Sequence, residues 1–530
     1  MSLSAASSTF SPSIVESRAM LRVSLPVELL RSRPLLVFWA ATVGQAALWW
    51  LVPSLFYAAP PGHAAEVVAI GHEFQLGTDF GPPLAFWLAE LAFTLFGRSM
   101  VGVYLLAQVC VVVTYWAVFA LGRTLVGVHH AVLAVLLLVG LTPLTISTPD
   151  FGPSVLAIAL VSLAILHFWR AVGEDRPRYW FALAIDLGLL ILTTYAGLIA
   201  LALVVFFTVA TRQGRTMLAT LDPWMAGVVL VILLFPHLMW LDASGGALAP
   251  MLAHLSAPSG LRQALSEWGH LLGQIFIAHI GLFVLVALAS GWWRTNEEYA
   301  LSTFVRVPPA RLGRRFVYCF ALLPALLATL AAALLRLGAP IGGTAPHVVL
   351  SGLLAVLLAG NVIALHRERL IALFWAALLV VPPLVGALAI VFAPWIAGVE
   401  LRVDQPARDI GQFFSESFER RTGKPLSVVS GDPRLAELVA IASASRPSLY
   451  FYADPARSPW VGDDDIARKG AVIVWPTTDT SGTPPADIKA RFPQLVPEVP
   501  RAFERPVQGR LPLLRIGWGV LRPQDNAPAR

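Results

Sequence analysis

Lysine is nearly absent from this 530-residue chain: it occurs at Lys424, Lys469 and Lys489 and nowhere before them. Cysteine occurs twice, at Cys110 and Cys319, each inside an apolar run, so there is neither a disulfide framework nor a zinc-finger spacing. Charged residues make up only 13%, about half the share in a soluble domain, whereas 57% of the chain is hydrophobic. That much apolar surface cannot be hidden in one water-surrounded core, which excludes an ordinary soluble protein and points to a polytopic membrane protein. Also missing are a Walker-type loop, a Gly-x-Gly-x-x-Gly turn after a strand and a His-Glu-x-x-His helix, so no nucleotide or zinc-protease site is encoded. The net charge of +6 does not point to nucleic acid, because the arginines sit in short segments between apolar runs.

A helix needs about 20 apolar residues to cross the hydrocarbon. On that criterion the sequence predicts about eleven spans, at 34–57, 101–124, 131–148, 152–171, 179–194, 196–211, 222–241, 266–291, 316–338, 347–365 and 370–396. Tyr179 to Ala210 is read as two short spans broken at Thr193-Thr194-Tyr195-Ala196-Gly197, and Pro83 to Phe96 as an interfacial helix. Charge asymmetry sets the orientation. With the N-terminus inside, the inner segments collect the arginines from Arg18 and Arg22 through to Arg367 and Arg369, and the short outer ones hold only Arg98 and Arg262. The first apolar run exceeds the core of a signal peptide and reads as a retained anchor. The expected fold is an all-α polytopic membrane domain with a small C-terminal α/β domain outside the membrane. Residues 1–33 form a cytoplasmic segment, 34–398 the membrane domain with its first outer loop at 58–100, and 399–530 the periplasmic domain. In the last, "LSVVS", "SLYFY" and "AVIVW" predict buried strands, and "DPRLAELVAIASA" predicts a helix capped by Asp432 with Pro433 in its first turn.

The acids are unevenly placed. Glu66, Glu73 and Asp79 fall in the first outer loop, Asp150 in the second and Asp242 in the third; only Asp186 lies mid-span. Topology does not force this, because outer acids obey no strong charge rule. Chemistry at the membrane face calls for such a cluster, with one carboxylate as general base. Each also has a plainer explanation: Glu73 and His72 as solvated residues, Asp79 as a turn residue, Asp150 as the cap of the fourth span, Asp186 as a polar contact inside the bundle, and Trp240 beside His237 as an interfacial anchor.

A first span, an outer loop with an acid, and then "PPLAFWLAELAFTLFGRS" together resemble the GT-C membrane glycosyltransferases. The similarity is to the group of protein O-mannosyltransferases, lipid A aminoarabinose transferases and rhizobial galacturonosyltransferases. "PDFGPSVLA", "PHLMWL" and the C-terminal "GDPRLAELVAIASASRPSLYFYAD" extend it over nearly the whole chain. The resemblance implies that Glu66 stands for the family's first-loop acid, Gly77 for its glycine, Pro82-Pro83-Leu84 for its His-Pro-Pro-Leu motif, and Asp150 for its second-loop acid. Three positions depart from the pattern: Gly81 replaces the histidine, His63 stands where many relatives have a second acid, and Thr194 replaces a lysine that meets the donor phosphate.

On this resemblance the chain moves a sugar from a polyprenyl-phosphate donor to a lipid, lipopolysaccharide or other envelope acceptor, with inversion, on the outer face of a bacterial inner membrane. Glu66 and Asp150 are the expected catalytic residues. Glu73, Asp79, Pro82, Pro83, Tyr195, His237 and Arg262 are expected to bind substrate, with Arg98 as a second outer cation. A divalent cation, if used, takes Glu66 and Asp150 as ligands. Two other readings stay open: a catalytically degenerate member acting as a binding subunit, and a polytopic transporter of lipid-linked glycans.

Overall fold

Inside a bilayer no water bonds the backbone, so apolar segments close their hydrogen bonds within helices. The structure is a computed structural model that describes residues 25–244, 260–290, 302–365, 368–451, 454 and 457–524. After α1 (Leu25–Ser32) and α2 (Pro34–Phe56) come two short helices, α3 (Ala64–Gly71) and α4 (Leu84–Leu95). There follow α5 (Met100–Val126), α6 (Val128–Leu138), α7 (Pro153–Val172), α8 (Tyr179–Ile191), α9 (Ala196–Ala210), α10 (Arg212–Met217) and α11 (Asp222–Ala243). The next stretch runs α12 (Leu261–Ala278), α13 (Ile280–Ser290), β1 (Ser302–Val305), α14 (Arg311–Leu335), α15 (Ser351–Leu358), β2 (Val362–Leu365) and α16 (Glu368–Ile396). Among the described residues, six of these helices are long and apolar enough to cross a membrane: α2, α5, α7, α11, α14 and α16. The pair α12 and α13, bent by 55° at His279, makes a seventh if counted as one span.

The helix pattern breaks between Ile191 and Ala196, where the sequence predicts it, and α4 has 12 residues, too few to cross. Of the eleven expected spans, 179–194 and 196–211 become α8 and α9, with 13 and 15 residues too short to count among the crossing helices, and two more differ in kind. Over 131–148 the helix starts earlier, at Val128, and stops at Leu138; Thr142-Pro143-Leu144 then forms a tight 3-10 turn. Pro143 cannot continue the ladder, and Gly140 instead receives the backbone N–H of Leu282 at 3.2 Å. Over 347–365, α15 lasts eight residues, and Val362–Leu365 leaves the helix to pair antiparallel with Ser302–Val305. The β-branched Val362 and Ile363 suit that extended edge. The expected inner arginines Arg18, Arg22, Arg294 and Arg367 and the stretch 245–259 lie outside the described residues.

Aromatic rings fill the middle of the bundle: Phe316 lies 4.7 Å from Phe320, 5.4 Å from Phe207 and 5.8 Å from Phe168. Asp186 of α8 finds its partner there, His167 of α7, at 2.5 Å. A carboxyl in hydrocarbon needs such a contact.

The C-terminal region carries α17 (Ala407–Thr422), β3 (Val428–Gly431), α18 (Pro433–Ala442), β4 (Ser448–Tyr450), α19 (Asp463–Lys469), β5 (Ala471–Pro476), α20 (Ala486–Arg491), β6 (Val496–Phe503) and β7 (Leu514–Leu521). The strands form one sheet in the order β4-β3-β5-β7-β6, with β4, β3 and β5 parallel and β7 antiparallel to both neighbours. The three apolar runs seen in the sequence are β3, β4 and β5. Asp432 caps α18 by accepting from the Leu435 N–H at 3.1 Å. The region is tied to the helices by backbone: the Ala58 and Ala59 N–H groups donate to the Val403 carbonyl at 2.8 and 3.1 Å, and that of Arg510 donates to Pro394 at 3.0 Å.

Candidate active site

The loop after α2 turns at Pro60-Pro61-Gly62 into α3, whose sequence Ala-Ala-Glu-Val-Val-Ala-Ile-Gly is apolar on every side but one. Every residue of α3 is buried except Glu66, whose side chain is 16% exposed. His63 fixes it from the preceding turn, with Nδ1 at 3.0 Å from Glu66 Oε2. The other oxygen, Oε1, makes no hydrogen bond among the described residues.

Asp150 comes to the same turn from the segment before α7. Its Oδ1 accepts the His63 backbone N–H at 2.8 Å. The carboxylate therefore satisfies the start of α3, where unpaired N–H groups and the helix dipole favour negative charge. It does not cap α7, as the sequence suggested: the N-cap of α7 is Gly152, without a side-chain bond. Burial pushes the Asp150 carboxyl up, the His63 amide and ring pull it down, and the charge of Glu66 pushes it up again.

A third acid reaches this place from the C-terminal sheet region. Helix α18 packs against α3, and its Glu437 is buried. Burial first, and then the charges of Glu66 and Asp432, push the Glu437 carboxyl up to about 8.

The loop from Glu73 to Leu84 is anchored along its length. Glu73 is half-buried, and burial raises its carboxyl while Ser448, His72 and Arg446 pull it back. Beside it, Glu90 of α4 meets Arg446 Nη2 at 2.5 Å and His72 Nδ1 at 3.2 Å. The Trp87 indole donates to the Gln75 carbonyl at 3.0 Å. His237 of α11 donates from Nδ1 to the Leu76 carbonyl at 2.8 Å, and in the neutral ring its Nε2 accepts from the Tyr195 hydroxyl at 3.3 Å. Trp240 stacks on His237 at 5.5 Å and lies so close to Gly77 that a Cβ there would come within 2.4 Å of its ring. That contact gives a physical reason for glycine at this position. Thr78 and Gly81 exchange backbone bonds of 3.1 and 3.0 Å, leaving Asp79 and Phe80 at the tip of a tight hairpin. Pro82 and Pro83 are buried and lead into α4, whose first N–H, from Leu84, donates to the Leu192 carbonyl at the break between α8 and α9.

The structure thus brings Glu66 and Asp150 together, and separately gathers Tyr195, His237, Pro82 and Pro83 around one loop. Glu73 joins the contact with the sheet region. Asp79 sits at the hairpin tip, 4.0 Å from Arg457. Arg262 is exposed on the first turn of α12 and forms no hydrogen bond or ion pair among the described residues. Arg98 donates to the Ala444 carbonyl at 2.9 Å. Sequence reasoning missed His63 as a partner of Glu66, and it missed Glu90, Arg446 and Glu437. The signal for the two glutamates was present: each is a lone acid in an apolar helix, "LAFWLAELAFTL" and "LAELVAIA", and a buried carboxyl demands a partner.

Among the described residues no three His, Cys, Asp or Glu side chains stand close enough to hold an ion. Asp150 has already given an oxygen to the His63 amide, and Glu66 one to the His63 ring. A hard divalent cation takes about six oxygen ligands, and two half-engaged carboxylates fit it poorly.

The family described as dolichyl-phosphate-mannose-protein mannosyltransferase matches residues 81–240, which hold Pro82, Pro83, Asp150, Tyr195 and His237 but begin after Glu66. This agrees with the resemblance to the GT-C membrane glycosyltransferases drawn from the sequence. Among solved structures, the chain is similar to ArnT from Cupriavidus metallidurans bound to undecaprenyl phosphate, at 13% identity over 94% of this chain and 99% of that one, with a TM-score of 0.43. It is also similar to the archaeal oligosaccharyltransferase AglB from Archaeoglobus fulgidus, in complex with an inhibitory peptide and a dolichol-phosphate, at 12% identity over 84% of this chain and 70% of that one, with a TM-score of 0.44. No curated protein matches the chain.

Proposed function

We propose that the chain is an integral membrane glycosyltransferase that takes its sugar from a polyprenyl-phosphate donor and passes it to a membrane lipid or envelope glycan. The observation that carries this reading is Glu66, the one residue of α3 that is not buried, held through one oxygen by His63 with the other left open. The family match over residues 81–240 supports the class.

In this reading Glu66 accepts the proton of the acceptor hydroxyl or amine as that atom attacks the anomeric carbon. The bond from that carbon to the phosphate oxygen breaks on the opposite face. The polyprenyl phosphate leaves with the electron pair, and the configuration inverts. Asp150 holds the His63 turn in place, and Glu437, its carboxyl pushed up by burial, packs against α3 from α18. Tyr195 and His237 set the position of the loop that carries Glu73, Asp79, Pro82 and Pro83 toward the substrate. Arg262 is the cation left to meet the donor phosphate, and Arg98 is the other outer candidate. The site faces the outer side of a bacterial inner membrane, with the N-terminus inside, as the arginine distribution favours.

The test is transfer from radiolabelled polyprenyl-phosphate sugars to a lipid extract. The expected result is transfer by the wild type and its loss in Glu66→Gln at normal expression. Near-normal turnover in that variant removes Glu66 from the base role. Binding of donor without transfer by the wild type favours a binding subunit, and uptake into vesicles without transfer favours a transporter.

A further inference from the structure

Helix α3, which carries Glu66, is tied down at both ends. Asp150 and His63 hold its start. Its end runs directly into His72 and Glu73, and there it meets the C-terminal sheet region. Gly71 lies so close to α4 that a Cβ would come within 2.2 Å of the Phe86 carbonyl, so α3 and α4 share one close seam. The sheet region reaches that seam through Arg446, two residues before β4, whose guanidinium lies over the Phe93 ring at 4.7 Å.

Four ionisable side chains meet there. Glu90 of α4 accepts from Arg446 Nη2 through Oε2 at 2.5 Å. Its Oε1 stands 3.2 Å from His72 Nδ1 and accepts the Thr94 hydroxyl at 3.3 Å. Glu73 is beside them, with Ser448, His72 and Arg446 acting on its carboxyl. Its buried Oε1 has no donor among the described residues, and Arg446 Nη1 has no acceptor. Two carboxylates therefore share one buried guanidinium. The other cations that act on this group are engaged elsewhere: Lys469 of α19 pairs with Asp465 at 3.2 Å, and exposed Arg98 donates to the Ala444 carbonyl at 2.9 Å. One negative charge is left over. Histidine is the side chain that gains a charge between about pH 8 and pH 5, and the His72 ring, 37% exposed, is open to the proton.

We infer that this cluster is a proton-operated latch: charged His72 balances Glu73 and Glu90 and closes the sheet region on the α3–α4 seam, and neutral His72 leaves a surplus carboxylate that loosens it. The sign follows from linkage. A base that gains an acidic partner on docking binds its proton more tightly when docked, so docking strengthens as pH falls and weakens as pH rises. In the proposed orientation the latch faces the outer compartment. It acts on the helix that carries Glu66, but it does not depend on Glu66 being the base.

The test is hydrogen exchange on the full chain in nanodiscs at about pH 6 and about pH 8, with labelling times scaled for the intrinsic rate, read over residues 72–95 and 444–451. Wild-type protection there is expected to be about two- to fivefold higher at the lower pH. His72→Gln keeps an N–H for Glu90 but cannot take a charge, and should show the looser level at both pH values. Glu73→Gln removes the surplus charge at constant size, and should keep the tighter level at the higher pH. Glu437→Gln removes the titrating carboxyl of α18 and should leave the pH dependence in place. Equal wild-type protection at the two pH values, a pH dependence that survives in His72→Gln, or a Glu73→Gln chain that loosens as wild type does overturns the proposal. A pH dependence lost in Glu437→Gln overturns it in favour of the α18 carboxyl. None of these measurements needs sugar transfer, so failure of the Glu66 reading and failure of the latch are told apart.

Discussion

Arg446 of the sheet region donates to Glu90 of α4 at 2.5 Å, with only 4% and 7% of the two side chains exposed. The partners are 356 residues apart in sequence, and the arginine also lies 4.7 Å over the Phe93 ring. Breaking a buried ion pair by removing one partner strands a charge and costs about 3–5 kcal/mol, whereas replacing both with apolar groups is often close to neutral. Arg446→Leu alone should therefore lower the thermal midpoint strongly and open the sheet region to protease. Arg446→Leu with Glu90→Leu should recover most of the loss. A single variant as stable as wild type would show that the pair is not closed in solution.

The protonated Glu437 makes stability fall with rising pH. Its folded carboxyl titrates at about 8 and its ordinary value is 4.5, so between these values the folded chain binds a proton that the unfolded chain has released. This contribution is complete below about pH 4.5, declines as pH rises, and is gone above about pH 8. Thermal midpoints measured from pH 5 to pH 9 should drop less steeply in Glu437→Gln, which carries no titrating group. Parallel curves for the two proteins would remove Glu437 as the source of the slope.

Gly81 has φ +133°, a backbone region closed to other residues, while the space where its Cβ would go is empty. Restoring the histidine that the resemblance leads one to expect should therefore harm the protein. Gly81→His is expected to cost about 1–3 kcal/mol through the backbone alone and to reduce sugar transfer. Gly81→Ala should cost a similar amount, because the strain does not depend on side-chain size. A His variant of wild-type stability would show that the Thr78–Gly81 hairpin relaxes without loss.

What the sequence revealed follows from which forces are local. Long apolar runs must become helices, and α2, α5, α7, α11, α14 and α16 appear close to where composition puts them. The apolar runs of β3, β4 and β5 and the Asp432 cap were legible for the same reason. Composition failed at 347–365, where Val362–Leu365 is apolar enough for a span but pairs with a strand sixty residues earlier (Ser302↔Leu365), a choice made by tertiary contact. It also failed at β6, whose "VPEVPRAF" carries two prolines and is held mainly by β7. At the site, Glu66, Asp150, Tyr195 and His237 could be named one by one. That Asp150 serves the His63 turn and not its own helix, and that α18 brings Glu437 within reach of the Glu66 charge, depends on packing between segments far apart in the chain.

The loop from Gln75 to Leu84 is fastened at both ends, by Trp87, His237 and Trp240 on one side and by the Leu192 carbonyl on the other. Such a segment behaves as a strap. It cannot swing about a single hinge as a lid does, and its ends move only if α11 or the α8–α9 corner moves with them. The freedom it keeps is in the middle, where the Asp79 side chain is 47% exposed. Movement of the loop is therefore confined to its hairpin, while the anchored ends stay with α11 and with the α8–α9 corner.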